Sequence, residues 1–76
     1  MRVYVLIVED RHMGVEVEAY CTAKAAVDAA RSFARETCHD LDEDYMEGED
    51  YAGDVFFARY SCEGDCVRVV EVDLLP

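Results

Sequence analysis

Three observations predict a small α+β domain. The chain has apolar, β-branched runs near both ends, one central segment with helical periodicity, and 53% hydrophobic residues in a length of 76. The expected order is strand, strand, helix, strand, strand (ββαββ), giving a four-stranded, mostly antiparallel sheet with the helix packed on one face. A chain this short buries roughly 60 to 65% of the surface its unfolded form exposes, so residues 1–76 are read as one domain without room for a second.

The first element, "RVYVLIV" (Arg2 to Val8), is β-branched or aromatic on both faces, which predicts a strand at the centre of the sheet. "VEVEAY" (Val15 to Tyr20) alternates, and this predicts a half-exposed strand with Val15 and Val17 inward and Glu16 and Glu18 outward. The intervening "EDRHMG" makes the first hairpin. From Thr22 to about His39 the period becomes helical, with Ala23, Ala26, Val27, Ala30, Phe33, Ala34, Thr37 and Cys38 on one face. Thr22 is the expected N-cap, and the small Ala residues let the helix lie close to a sheet. Lys24 to Asp28 and Asp28 to Arg31 satisfy helical ion-pair spacing. "DVFFARY" (Asp54 to Tyr60) and "CVRVVEV" (Cys66 to Val72) are the last two strands, joined by "SCEGDC", in which Gly64 supplies a positive φ. Two hairpins joined by a helical crossover suggest the strand order 2-1-4-3.

This order resembles the β-grasp arrangement of the immunoglobulin-binding domains of streptococcal protein G, with "TAKAAVDAARSFARE" in the place of the helix. The resemblance implies a fold and no activity.

Charge is concentrated in one place. The formal net charge is -11, yet the stretch from Glu36 to Ala58 holds nine acidic residues and no Lys or Arg, while the remaining nine acids face seven bases. Its centre, "HDLDEDYMEGEDYAGD", makes residues 40–53 an acidic connecting segment near the length at which a loop in a compact domain becomes unusual. Asp40, Asp42 and Asp44 are two apart, so in an extended chain they recur every ~6.5 to 7 Å on one side, comparable with phosphate spacing along a nucleic-acid strand. Tyr45, Met46 and Tyr51 interleave with the acids and would add shape-specific apolar contact. The candidate partner-binding residues are Asp40, Asp42, Glu43, Asp44, Tyr45, Glu47, Glu49, Asp50 and Tyr51, extended by Glu16 and Glu18. A purely solvated, solubilising loop is the competing reading of the same charges. An EF-hand alignment beginning at Asp40 puts Tyr45 where Gly is needed and Tyr51 where a bidentate Glu is needed, so no calcium site is expected.

Cys62 and Cys66 flank a turn and are spaced for a disulfide or for two metal thiolates, but a structural zinc site needs two more ligands. Cys21 and Cys38 lie ~25 Å apart at opposite helix ends and cannot pair. Ordinary thiols are expected, with no cofactor and no metal. His12 and His39 have no third group to orient a catalytic base, and there is no phosphate-binding glycine loop, G-x-S-x-G or H-E-x-x-H, so no enzyme is expected. The longest apolar run of the N-terminal segment, six residues, is too short for a signal core or a membrane span, which predicts a cytoplasmic protein. An acidic surface disfavours nucleic acid and anionic membranes as direct partners and favours a basic protein.

In size, charge and general architecture the chain resembles the small inhibitors that phages use against bacterial defence, the anti-CRISPR and anti-restriction proteins. The resemblance implies a protein that binds a CRISPR effector or similar complex in the bacterial host cell and blocks nucleic-acid access. The alternative class is a non-enzymatic interaction module, a homodimer assembled through a sheet edge being one form, whose acids serve only solubility.

Overall fold

The computed structural model describes residues 1–48 and 54–75. Glu49, Asp50 and Tyr51 of the predicted acidic segment lie outside the described residues. The elements are β1 (Arg2–Asp10), β2 (Gly14–Tyr20), α1 (Ala23–Thr37), β3 (Met46–Gly48), β4 (Phe56–Arg59) and β5 (Cys66–Asp73). They build an α+β fold in which one helix lies on a five-stranded sheet of order β2-β1-β5-β4-β3. Every neighbouring pair is antiparallel.

The expectation of four strands is therefore corrected to five, and ββαββ to ββαβββ. The added strand, β3, falls inside the segment read as a connecting loop. It is three residues long, too short to carry a legible alternation. Its position depends on tertiary contacts: Gly48 faces Phe57, and a Cβ there would come within 3.0 Å of the Phe57 ring. The extra strand also alters the β-grasp reading. If each element reverses the direction of the one before it, the last strand of ββαββ runs parallel to the first, and one more strand makes the two antiparallel. β1 and β5 are antiparallel, pairing from Arg2 with Asp73 to Glu9 with Cys66. The four strands that were expected do run in the order 2-1-4-3, with β3 added at the outer edge.

The core lies between α1 and one face of the sheet. Leu6 and Val8 of β1, Val67 and Val69 of β5, and Phe56 and Ala58 of β4 are buried against the helix. Ala26, Ala30 and Ala34, four residues apart on one helical face, are all 0% exposed. Helical spacing accounts for the stripe, and the absence of side chain beyond Cβ lets the helix axis approach the strands. Phe33 packs edge-on against Tyr60, with ring centroids 5.5 Å apart. Thr22 is the N-cap, its Oγ1 accepting from the Ala25 N–H at 3.1 Å, and the Cys38 N–H donates to the Ala34 carbonyl at the other end. Among the described residues no helix is long and apolar enough to cross a membrane.

β2 has the predicted alternation but the opposite facing. Its register sets Glu18 beside Leu6 and Glu16 beside Val8, and directly opposed residues of an antiparallel pair share a face. Glu16 and Glu18 thus lie on the helix side, whereas Val15 and Val17 lie on the open face, 70% and 61% exposed. The reason is lateral: β2 is an edge strand, and the helix covers β1, β5 and β4 but reaches β2 at its Tyr20 end, leaving Glu16 and Glu18 exposed. Val17, Ile7, Arg68, Phe57 and Gly48 form one row across the open face of the sheet.

Candidate acidic interaction surface

After the helix the chain turns sharply. The Asp40 carboxylate accepts hydrogen bonds from the backbone N–H groups of Asp42 (3.1 Å) and Glu43 (3.2 Å), and its carbonyl accepts from the Asp44 N–H (2.8 Å). The Cys38 thiol donates to the same carbonyl at 3.3 Å. This is local side-chain capping of the kind that makes Asp a turn residue. It also removes the extended spacing expected of Asp40, Asp42 and Asp44, because residues 41–44 form a turn rather than a strand. The result is a compact acidic knob in which Asp40, Asp42 and Glu43 are exposed and Asp44 is half-buried.

Tyr45 and Glu47 lie just beyond and are held from within. The Tyr45 hydroxyl donates to Glu47 Oε2 at 2.6 Å, and the same carboxylate accepts from Arg31 Nε at 2.8 Å and Nη2 at 3.1 Å. Arg31 therefore reaches across to β3 rather than back to Asp28, which pairs with Lys24 at 2.7 Å. The Arg31 guanidinium lies 5.1 Å over the Phe56 ring and that of Arg35 5.5 Å over Tyr45. Hydrogen bonds from Arg31 and Tyr45 hold the Glu47 carboxyl below its ordinary value. Burial first, and the Glu47 bond second, push the Tyr45 phenol up to about 12. These two residues anchor the knob to the helix and core.

The knob borders a cleft of about 450 Å³ at the end of the molecule where the helix and two hairpin loops meet. Asp44 and His39 reach it from one side, Asp10 and His12 from another, and Tyr60 and Asp65 from a third. Asp10 accepts from the N–H groups of His12 (2.8 Å) and Met13 (3.0 Å) and from the Tyr60 hydroxyl. That hydroxyl is the largest cause of the lowered Asp10 pKa, while burial, followed by the Asp10 bond, raises the Tyr60 phenol. Asp65 accepts from the Arg11 N–H and the Ser61 hydroxyl, both at 2.9 Å. These carboxylates, absent from the expected site, tie the loops together. Their signal in the sequence is turn chemistry: an Asp shortly before Gly14, and Ser61 four residues before Asp65.

Ion pairing separates the acids into two populations. Arg2 pairs with Glu71 and Asp73, Lys24 with Asp28, Arg31 with Glu47, and Arg68 with Glu9 and Asp54. Among the described residues, Asp10, Glu36 and Asp65 enter no salt bridge, nor do the six predicted site residues Asp40, Asp42, Glu43, Asp44, Glu16 and Glu18. These six do not form one continuous surface. Glu16, Val8, Val67, Ala58 and Glu47 form a single cross-sheet row, so four strand spacings, ~19 Å, separate Glu16 from Glu47. Glu16 and Glu18 are thus a second strip at the opposite edge rather than an extension of the knob.

All four cysteines are free, and burial raises the Cys66 thiol. Among the described residues no group of three or more His, Cys, Asp or Glu is placed to hold a metal ion. Comparison of the chain with protein-family models, with curated proteins and with solved structures finds no match to any of them.

Proposed function

We propose that the protein is a small acidic protein-binding inhibitor, similar in kind to anti-CRISPR proteins, whose knob occupies a basic groove of a nucleic-acid-handling defence complex and blocks nucleic-acid access. The observation that carries this reading is the distribution of ion pairs. Arg2, Lys24, Arg31 and Arg68 pair with acids elsewhere, while Asp40, Asp42, Glu43 and Asp44, on one turn, enter no salt bridge among the described residues. Exposed carboxylates keep most of their hydration, cost little to hold in place, and project a field that steers a basic partner toward the turn. Leu41, exposed on the same turn as the acids, supplies apolar contact. Mimicry here is of charge density rather than of a regular phosphate ladder, since the turn replaces the extended spacing.

The test is capture from bacterial lysate containing CRISPR effectors, followed by competition for labelled duplex on the recovered complex. Wild type is compared with a D42N/E43Q/D44N variant. The expected outcome is recovery of one complex, displacement of duplex by wild type, and at least about tenfold weaker displacement by the variant, with a shallower salt dependence. Equal displacement by the neutralised variant sinks the reading. In that event the alternative interaction module gains, because among the described residues the sheet face opposite the helix leaves Val15 and Val17 exposed.

A further inference from the structure

The sheet has two edges, and they differ. At one, β3 is three residues long, and its Glu47 is already bonded to Arg31. At the other, β2 offers seven residues that among the described residues pair only with β1, in unbroken register from Tyr20 beside Tyr4 to Gly14 beside Asp10. Gly14 through Ala19 are all exposed. An uncovered edge of this length presents a row of backbone donors and acceptors to any chain that can extend alongside it. The side chains then determine which chain fits. Glu16 and Glu18, without salt bridges, project on one side of the edge, and Val15 and Val17 on the other.

A second copy of this protein fits poorly. A two-fold axis relating two β2 edges stands perpendicular to the sheet and keeps the faces aligned, so even-numbered residues must oppose even-numbered ones. The three central registers put Glu16 against Glu18 twice, Glu18 against Glu18, or Glu16 against Glu16. Like charges directly opposed across antiparallel strands are destabilising. The charges that discourage self-pairing would instead favour a strand of opposite sign.

We propose that the β2 edge takes up an extended basic peptide by antiparallel strand addition, with Lys or Arg at alternate positions opposite Glu16 and Glu18 and aliphatic residues beside Val15 and Val17. Backbone hydrogen bonds supply affinity, and the two-sided pattern supplies selectivity. Tyr20 donates its hydroxyl to Glu18 at 2.9 Å and holds that carboxylate at the edge. This site is separate from the knob, and the proposal does not rest on the inhibitor reading.

The probe is a labelled heptapeptide of alternating lysine and valine, followed by fluorescence anisotropy at low ionic strength. Two further peptides carry backbone N-methyl groups, one on every lysine and the other on every valine. Only one set of alternate amides can face β2 when the lysines lie on the Glu side. Saturable binding is therefore expected for the parent, with at least a tenfold loss for one methylated peptide and little change for the other. E16Q/E18Q should weaken the parent about tenfold, and D42N/E43Q/D44N should leave it within twofold. Equal effects of the two methylation patterns would overturn the proposal, since attraction by charge alone is indifferent to which amides are blocked. So would the absence of saturable binding, or a loss in the knob variant as large as that in E16Q/E18Q.

Discussion

Asp65 is 5% exposed, and its two oxygens serve different loops, one accepting from the Arg11 backbone and the other from the Ser61 hydroxyl. Removing such a carboxylate leaves a part-buried N–H without its partner, which costs more than the net value of the hydrogen bond. Asp65→Ala should lower unfolding free energy by about 1 to 3 kcal/mol, with Asp65→Asn milder because an amide oxygen can still accept. Urea unfolding checks this, and equal midpoints for wild type and Asp65→Ala would contradict it. At this scale the sequence was only partly legible. The Thr22 cap and the Lys24 to Asp28 pair follow from spacing along one helix and are found as expected. The Arg31 to Glu47 pair spans 16 positions and two elements, and no local periodicity announces it. The Asp40 turn was obscured by composition: a string of acids suggests an extended, self-repelling segment, yet one Asp can satisfy the backbone donors that follow it.

Among the elements, the helix was the most legible, because apolar spacing, an N-cap and an Ala-rich face agree. Its Ala stripe has a measurable consequence. Ala30 is fully buried, so Ala30→Leu must push the helix off the sheet and should destabilise by about 1 to 3 kcal/mol. Ala25→Leu on the exposed side should be nearly neutral. Thermal melts of the two variants separate them, and similar midpoints would mean that the helix seat is looser than described. The strands were legible as strands, but β2 shows the limit of alternation. A period of two tells which residues share a face and says nothing about which face receives the helix. In β2 hydrophobicity alone points the valines inward, whereas the register that sets Glu18 beside Leu6 and Glu16 beside Val8 turns them outward. β3 was hidden by its brevity, and with it the direction of every later strand.

For the molecule as a whole, the partition of charge was readable by counting, whereas chain direction required the pairing. Interior β1 takes β2 as one neighbour through a short local turn, but its other neighbour, the central strand β5, arrives roughly sixty positions later, at the cost of closing a long loop. During folding the β1–β2 hairpin can therefore form first and wait, with β1 apolar on both faces and unpaired along one side. A waiting strand of that kind is a template for the wrong chain. Mutual repulsion between molecules carrying a charge of -11 keeps such hairpins apart at a stage when no native surface exists to be recognised. Added salt should then act in opposite directions, raising the melting temperature of the native protein by screening repulsion within it while lowering the yield on refolding at fixed protein concentration. Light scattering during refolding across a sodium chloride series measures the second effect, and a yield that rises with salt would remove it. The acidity thus protects the chain from its own copies before the last strand pairs into the sheet.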